Sequence, residues 1–387
     1  MLPNNSKPLE IYVHWPWCKA KCPYCDFNAH VAETIPHEAY FSHIRGDLEF
    51  MRQRTGRRVV RSVFFGGGTP SLMGAAGVAR VLADIQDVYG LPVETEVTVE
   101  CNPTSSSDAL FAGLADVGVN RVSVGIQSLQ DDLLKFLGRE HTAEYALHTL
   151  KSAQNRLGNV NADVIYGLPN QQLEGWMDDL ERVADLGLNH ISCYQLTIEP
   201  QTHFFSAVKR GLWEPLDMDR QADFMAETAH FLGTQGFINY EISNFCKPTR
   251  ECQHNLHVWQ YHDYAGVGAG AHGRLTLTDG TRVATQMTKH PRNYLKHSTV
   301  DERLHTTVVT PQDAWREAIL SGLRLKEGID VPTLEMRLGG KLTENVSGEA
   351  LAVLSRLGFL EHNCNRLRLT ERGWLLLDSV VGQLLAD

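Results

Sequence analysis

The chain reads as an α/β protein: an open, partial (β/α)6 barrel resembling a TIM barrel, followed by a smaller, mainly helical, winged-helix-like module. Three observations lead there. Short apolar runs alternate with longer amphipathic segments six times between residues 9 and 198, which marks successive βα units and a parallel sheet. Six units are too few to close an eight-stranded barrel, so the sheet is expected to stay open. From about residue 311 the alternation stops, and helical patterns lead into two short runs, 358–362 and 367–373, with the look of a small wing.

The strands are read at 9–13, 59–65, 94–100, 121–126, 160–166 and 190–198. Helices are read at 33–54, 71–89, 107–117, 142–156 and 173–186; in the first, Ile35, Tyr40, Ile44, Leu48 and Met51 recur near helical spacing. A further helix is expected at 218–232, then an extended segment at 237–245 and an irregular stretch to residue 274. In the last part, helices are expected at 313–324, 334–338 and 349–357, with a closing helix at 374–385. The division that follows is 1–236 for the barrel, 237–310 for a connecting segment and 311–387 for the C-terminal module. In an open or closed barrel of this kind, the C-terminal ends of the strands carry the functional loops.

Composition narrows the function. Of 387 residues, 43% are hydrophobic and 21% charged, an ordinary globular balance. Lys+Arg 36 against Asp+Glu 46 gives a net charge of −10, so no basic field is present to collect phosphates and no nucleic-acid partner is expected. No apolar run reaches the length of a membrane span, and Met1-Leu-Pro-Asn-Asn-Ser6 has no leader pattern. Eight cysteines, three of them clustered, suit a reducing compartment. A cytoplasmic protein is expected, with peripheral contact to a membrane left open.

The clustered thiols are Cys18, Cys22 and Cys25, spaced Cys-x-x-x-Cys-x-x-Cys on one loop directly after the first strand. An odd number cannot pair into disulfides, and free core cysteines would not gather beside Lys19 and Lys21. Zinc held with His14 or His30 is the competing reading. The favoured one is a four-iron cluster, with three irons on these thiols and a fourth left open to substrate.

Preceded by Tyr12-x-His14-x-Pro16, the triplet resembles the signature of radical S-adenosylmethionine (SAM) proteins, in particular the coproporphyrinogen-dehydrogenase-like group. Trp17 stands where that group usually has phenylalanine. The resemblance implies a [4Fe–4S] cluster on the three cysteines, SAM at the barrel mouth, a reducing electron donor and reductive cleavage of the sulfonium. It assigns Gly67, Gly68 and Thr69, in Gly66-Gly-Gly-Thr-Pro70, to the methionyl ammonium. Asp163 or Gln127 would hold the ribose hydroxyls, Glu100 would face the cationic end, and Arg139 would form a fork to the methionyl carboxylate. Read from the residues alone, Glu100 and Asp163 fit a buried ion pair equally well, because a carboxylate in an apolar strand needs a partner. Tyr12 is either a neighbour of the cofactor or a wall of the core. Trp15, Trp17, Tyr24 and Phe27 are expected to keep the cluster dry.

Two departures separate the branches of the group. Coproporphyrinogen dehydrogenases carry one more cysteine, where this chain has Phe27, and a long N-terminal extension, whereas Cys18 here lies near the start. Both point to the HemW-type haem chaperones, which hand haem to apo-haemoproteins; the alternative is radical decarboxylation of coproporphyrinogen III. The segment Cys252-Gln-His254-Asn255-Leu-His-Val258-Trp259 resembles their His-Asn-x-x-Tyr-Trp motif, with Val258 in the place of tyrosine. It makes His254 the haem-ligand candidate, with His257, Cys252 and Cys246 as alternatives, beside an ordinary hydrogen-bonded histidine and a zinc site of Cys246, Cys252 and His254. The glycine-rich run Tyr264–Gly273 follows no clear strand and is read as pocket lining or close packing.

Overall fold

The computed structural model describes residues 7–386; the opening residues 1–6, read as carrying no leader, lie outside the described residues. Six parallel strands stand side by side in chain order: β1 (Pro8–Trp15), β2 (Val59–Gly67), β3 (Glu96–Cys101), β4 (Arg121–Gln127), β5 (Val160–Tyr166) and β6 (His190–Gln195). The connecting helices are α1 (His37–Thr55), α2 (Gly74–Tyr89), α3 (Asp108–Asp116), α4 (Asp131–Phe136), α5 (Ala143–Leu157) and α6 (Leu173–Ala184). This is the partial barrel expected from the alternation. In β1 the period of two sends Leu9, Ile11, Val13 and Trp15 to the helical layer, where all four are fully buried. Between them Glu10, Tyr12 and His14 face the lumen. α1 begins at His37 and not at 33, because Pro36 occupies its N-cap position, where a missing N–H costs nothing.

The sheet does not stop at six strands. Past β6 it continues antiparallel through β7 (Ile238–Asn239) and β8 (Asn244–Cys246), with β8 next to β6. On the other side β9 (Tyr264–Val267) runs parallel to β1, followed by antiparallel β10 (His272–Thr276), β11 (Arg282–Met287) and β12 (Leu304–Val308). The stretch up to residue 274 is therefore not irregular, and the glycine run does contain a strand. Its signal is hidden by glycines that tight packing demands. A Cβ on Gly266 would lie 1.9 Å from the His272 carbonyl oxygen, and one on Gly268 2.6 Å from that of His14.

A buried ion network locks this added sheet to α1. Asp47, with no exposed surface, accepts from Arg303 Nε at 2.9 Å, from the Gly268 amide at 3.1 Å and from the Tyr294 hydroxyl at 2.5 Å. Removing one partner from such a network costs about 3–5 kcal/mol.

The C-terminal helices Pro311–Gly322, Val331–Leu338 and Gly348–Arg356 gather around Trp315, Ile319, Leu354 and Leu367 in a second core. A three-stranded sheet, β13 (Ile329–Asp330), β15 (Arg366–Leu369) and β14 (Leu360–His362) in that order, completes the winged-helix-like pattern. The closing helix is in two pieces, Glu371–Trp374 and Leu377–Leu384. A two-pronged ion pair, Arg274 Nε and Nη2 to Glu317 at 2.8 Å each, joins this module to β10. Among the described residues no helix is long and apolar enough to cross a membrane.

Candidate functional site

At the C-terminal ends of the strands lies a cavity of about 450 Å³. It is lined by Cys18, Cys22 and Cys25, by Gly67, Gly68 and Thr69, and by Glu100, Gln127, Arg139 and Asp163. Residues from six separate segments thus converge on one hollow, which is what strand ends of a barrel do. The lining also includes Ser123, Ile165, Tyr194, Gln195 and Glu199, which the sequence reading did not single out. Their signal was positional: each lies on or just after a strand, as Glu100 and Gln127 do.

The cysteine loop is held from three directions. Trp17–Cys18 pairs with His30–Val31 in a short parallel bridge that closes the loop on itself. Asn28 donates to the carbonyls of Ala269 and Lys289, at 3.0 and 2.8 Å, tying the loop to the glycine run. Underneath, Gly68 and Thr69 donate their amides to the Trp15 and Trp17 carbonyls, at 2.7 and 2.8 Å. A Cβ on Gly68 would meet the Trp17 carbonyl oxygen at 2.6 Å, so glycine is required there by packing. The Gly67 amide goes to Glu100 Oε2 at 3.1 Å. An ammonium donates, so what this backbone can offer it is carbonyl oxygens.

The aromatic shell divides. Trp15 and Trp17 are buried edge to face, 4.7 Å between centroids, under Tyr40, while Phe27 is 59% exposed at the cavity rim. Phe27 is therefore outside the buried part of the shell. Tyr12 does not line the cavity. Its hydroxyl is 3.1 Å from His14 Nδ1, and its ring lies against Gly66 and Phe64, so it is the wall beneath Glu100.

The donors suit the cofactors expected here. Burial raises the Cys18 thiol, and burial raises that of Cys25 to about 11; the Arg139 guanidinium and Lys21 pull Cys18 back. Thiols held neutral in this way ionise when a cationic metal centre arrives. Thr69 donates its hydroxyl to Cys18 Sγ at 3.3 Å, and Arg139 Nη1 reaches Cys22 Sγ at 3.6 Å, both contacts that favour thiolate. Among the described residues no three His, Cys, Asp or Glu side chains are drawn together around a single metal ion, so the fit rests on the chemistry of these donors. Deeper in the cavity, burial and the nearby Asp163 raise Glu100 to about 8. Asp163 is also raised by burial, against hydrogen bonds from Ser123 and Asn161. Two carboxylates that resist ionisation side by side make a pocket for a cation.

Arg139 Nη2 donates to the Gly125 carbonyl at 2.6 Å, so part of its fork is occupied by the protein. Gln127 sits at φ +68°, at a break in the β4–β5 register, a strained backbone that turns it inward.

His254 is elsewhere. The helix Gln253–Trp259 plugs the opposite end of the barrel, and His254 is 6% exposed there, its ring tilted against Phe64. Its Nδ1 is 2.7 Å from the Ser62 hydroxyl, which donates to Glu10; Glu10 Oε1 in turn lies 2.9 Å from His257 Nδ1. Burial drives the His254 imidazole down to about 3, so it is neutral. Cys252 Sγ turns to Glu96, and Cys246 is buried in β8, so these thiols have other surroundings than a shared metal.

Comparison with known proteins agrees with this geometry. A profile of the Radical SAM superfamily matches residues 12–201, and one of the HemN C-terminal domain matches residues 309–376. The heme chaperone HemW of Escherichia coli K12 is 35% identical over 384 residues, spanning 98% of this chain and 99% of that protein. The chain belongs to the HemW family. The Haemophilus influenzae heme chaperone HemW is 34% identical, with 98% of both chains covered. Coproporphyrinogen III oxidase (HemN) from E. coli shares the fold, with a TM-score of 0.80 and 23% identity over 97% of this chain and 90% of that one. As a radical SAM protein of the HemW family, the chain uses a [4Fe–4S] cluster and SAM as cofactors.

Proposed function

We propose that this protein is a haem chaperone, binding haem and passing it to apo-haemoproteins in the cytoplasm. The observation that carries this is the full-length match to proteins named heme chaperones, beside a likeness to HemN that extends to fold alone. Phe27 in the place of an additional cysteine supports the same choice. The division into residues 1–236, 237–310 and 311–387 belongs to the same proposal.

Within the cavity the roles follow from position. Cys18, Cys22 and Cys25 hold the cluster; Glu100 and Asp163 face the cationic and ribose parts of SAM; Gly67, Gly68 and Thr69 stand beside the ammonium. Arg139, whose terminal nitrogens already reach Gly125 and Cys22, offers its positive charge to a carboxylate. Gln127 shares the ribose side with Asp163. A cluster held by these cysteines would supply low-potential reducing chemistry toward the sulfonium. The protein's part is to orient the ligand and to exclude water from the cavity. His254 offers haem no open face, and a haem ligand there requires the plug helix to move.

The test is transfer. Cluster-loaded protein charged with haem under anaerobic conditions is mixed with an apo-haemoprotein, and with coproporphyrinogen III, SAM and reductant in a parallel sample. Haem transfer without protoporphyrinogen formation is expected. Protoporphyrinogen formation would establish the decarboxylase alternative in its place.

A further inference from the structure

Beneath the cavity, a file of buried polar side chains leads away from Asp163 to the plug. Asn161 is its hub. Its Nδ2 donates to Asp163 Oδ1 at 2.8 Å and to Ser123 Oγ at 2.6 Å, and the Ser123 hydroxyl donates to Asp163 Oδ2 at 2.8 Å. With both amide hydrogens spent on that side, Oδ1 has to be the atom that faces His190, and His190 Nδ1 lies 2.6 Å from it. His190, with no exposed surface, must therefore carry its proton on Nδ1. Nε2 is left as an acceptor, and the Tyr240 hydroxyl stands 3.0 Å away to donate to it. The Tyr240 oxygen in turn accepts from the Cys252 amide at 3.3 Å, at the N-cap of the plug helix. Every hydrogen in the series runs one way, from the plug to the carboxylate.

Such an arrangement does more than fill a core. A carboxylate in a half-buried wall swings between rotamers unless its acceptor sites are occupied, and here both oxygens are addressed from below. Asp163 itself lines the cavity. Replacing Asn161 or His190 by an apolar residue would break the series at one point and leave the groups on either side unpaired. Burial and the neighbouring Arg121 keep His190 neutral, as its double role of donor and acceptor needs.

We infer that His190 is a positioning residue for ligand binding: through Asn161 it fixes the orientation of the Asp163 carboxylate in the cavity and is itself anchored by Tyr240 to Cys252, the N-cap of the plug helix. The inference rests on the reading of Asp163 as a contact of SAM.

Two measurements test it. Nitrogen-15 NMR of histidine-labelled wild-type protein should show His190 as the Nδ1–H tautomer, without titration between pH 5 and 8; the Nε2–H tautomer would overturn the inference. SAM binding is then measured on cluster-loaded, full-length protein by equilibrium dialysis. His190→Leu should weaken it about tenfold, the size of one buried hydrogen bond. His190→Gln, which can donate and accept in the same directions, should recover most of the loss, and Tyr240→Phe should cost less than His190→Leu. In an Asp163→Asn background His190→Leu should add little. Full additivity, or wild-type affinity in His190→Leu beside a weakened Asp163→Asn, would overturn the positioning role alone. Wild-type affinity in Asp163→Asn would instead remove Asp163 from the SAM site, and with it the ligand that His190 is said to position. Should His190→Leu fail to fold, the tautomer and the Gln and Tyr240 variants still decide.

Discussion

The two ends of the barrel use the same kinds of side chain for opposite ends. At the mouth, three thiols, the Glu100 and Asp163 carboxylates and the Arg139 guanidinium face an open cavity of about 450 Å³. At the floor, Cys252, Glu10, Glu96, His254 and His257 lie together, and there they are turned on one another and covered by the plug helix. Metal-binding residue types in a tight sequence cluster therefore mark a site only where the fold leaves them facing space. The mouth is built to receive a charged ligand; the floor is built to be full.

The sharpest contrast is in iron content. Replacing Cys18, Cys22 or Cys25 with alanine should abolish bound iron and the brown colour, whereas Cys246→Ala and Cys252→Ala should keep both. Iron assay of anaerobically purified variants checks this, and equal loss at both ends would erase the distinction.

Next in size is the pH dependence of SAM binding. Glu100 stands at about 8 in the free cavity, raised by burial and Asp163 against the Gly67 amide and Arg121. A cationic ligand prefers the ionised form, so below pH 8 binding must expel a proton. Affinity should rise with pH up to about 8, by at most about tenfold per unit, and level off above. Glu100→Gln should flatten the profile. The same shift bears on the ligand-free fold: stability from this group is full below its unfolded value, about 4.5, and declines as pH rises towards 8.

Gly68→Ala puts a methyl against two backbone carbonyls, at 2.6 and 2.9 Å, which cannot move aside as a side-chain tip could. A loss of about 1–3 kcal/mol in stability is expected from denaturant titration, with weaker cluster retention. At the floor, His254→Ala should cost a similar 1–3 kcal/mol or so by leaving the buried Ser62 oxygen without its imidazole partner. Iron and SAM binding should be unchanged, and so should haem affinity if the plug stays in place. Haem binding lost without loss of stability would show that the plug opens.

The mouth was the legible end. Apolar runs mark β1 to β6, and their C-terminal ends bring Glu100, Gln127 and Asp163 together. The Cys18–Cys25 spacing is local, so sequence contains all of it. The floor is not local: Ser62 and His254 are 192 residues apart, and no pattern in the Cys252–Trp259 segment reveals that its partners wait in β1 and β2. β9 was missed because its tight approach to β1 and β10 selects glycine, which removes the β-branched signal. The Gly66–Thr69 segment was recognised, but the commitment of its amides to Trp15, Trp17 and Glu100 depends on how the cysteine loop folds back.

The most direct test is electron paramagnetic resonance of the reduced, oxygen-free protein before and after addition of SAM. About four irons per chain and a spectrum that changes with SAM in wild type, with no cluster signal in Cys22→Ala, are predicted. A zinc-only protein, or a cluster spectrum indifferent to SAM, would contradict an open iron at the barrel mouth.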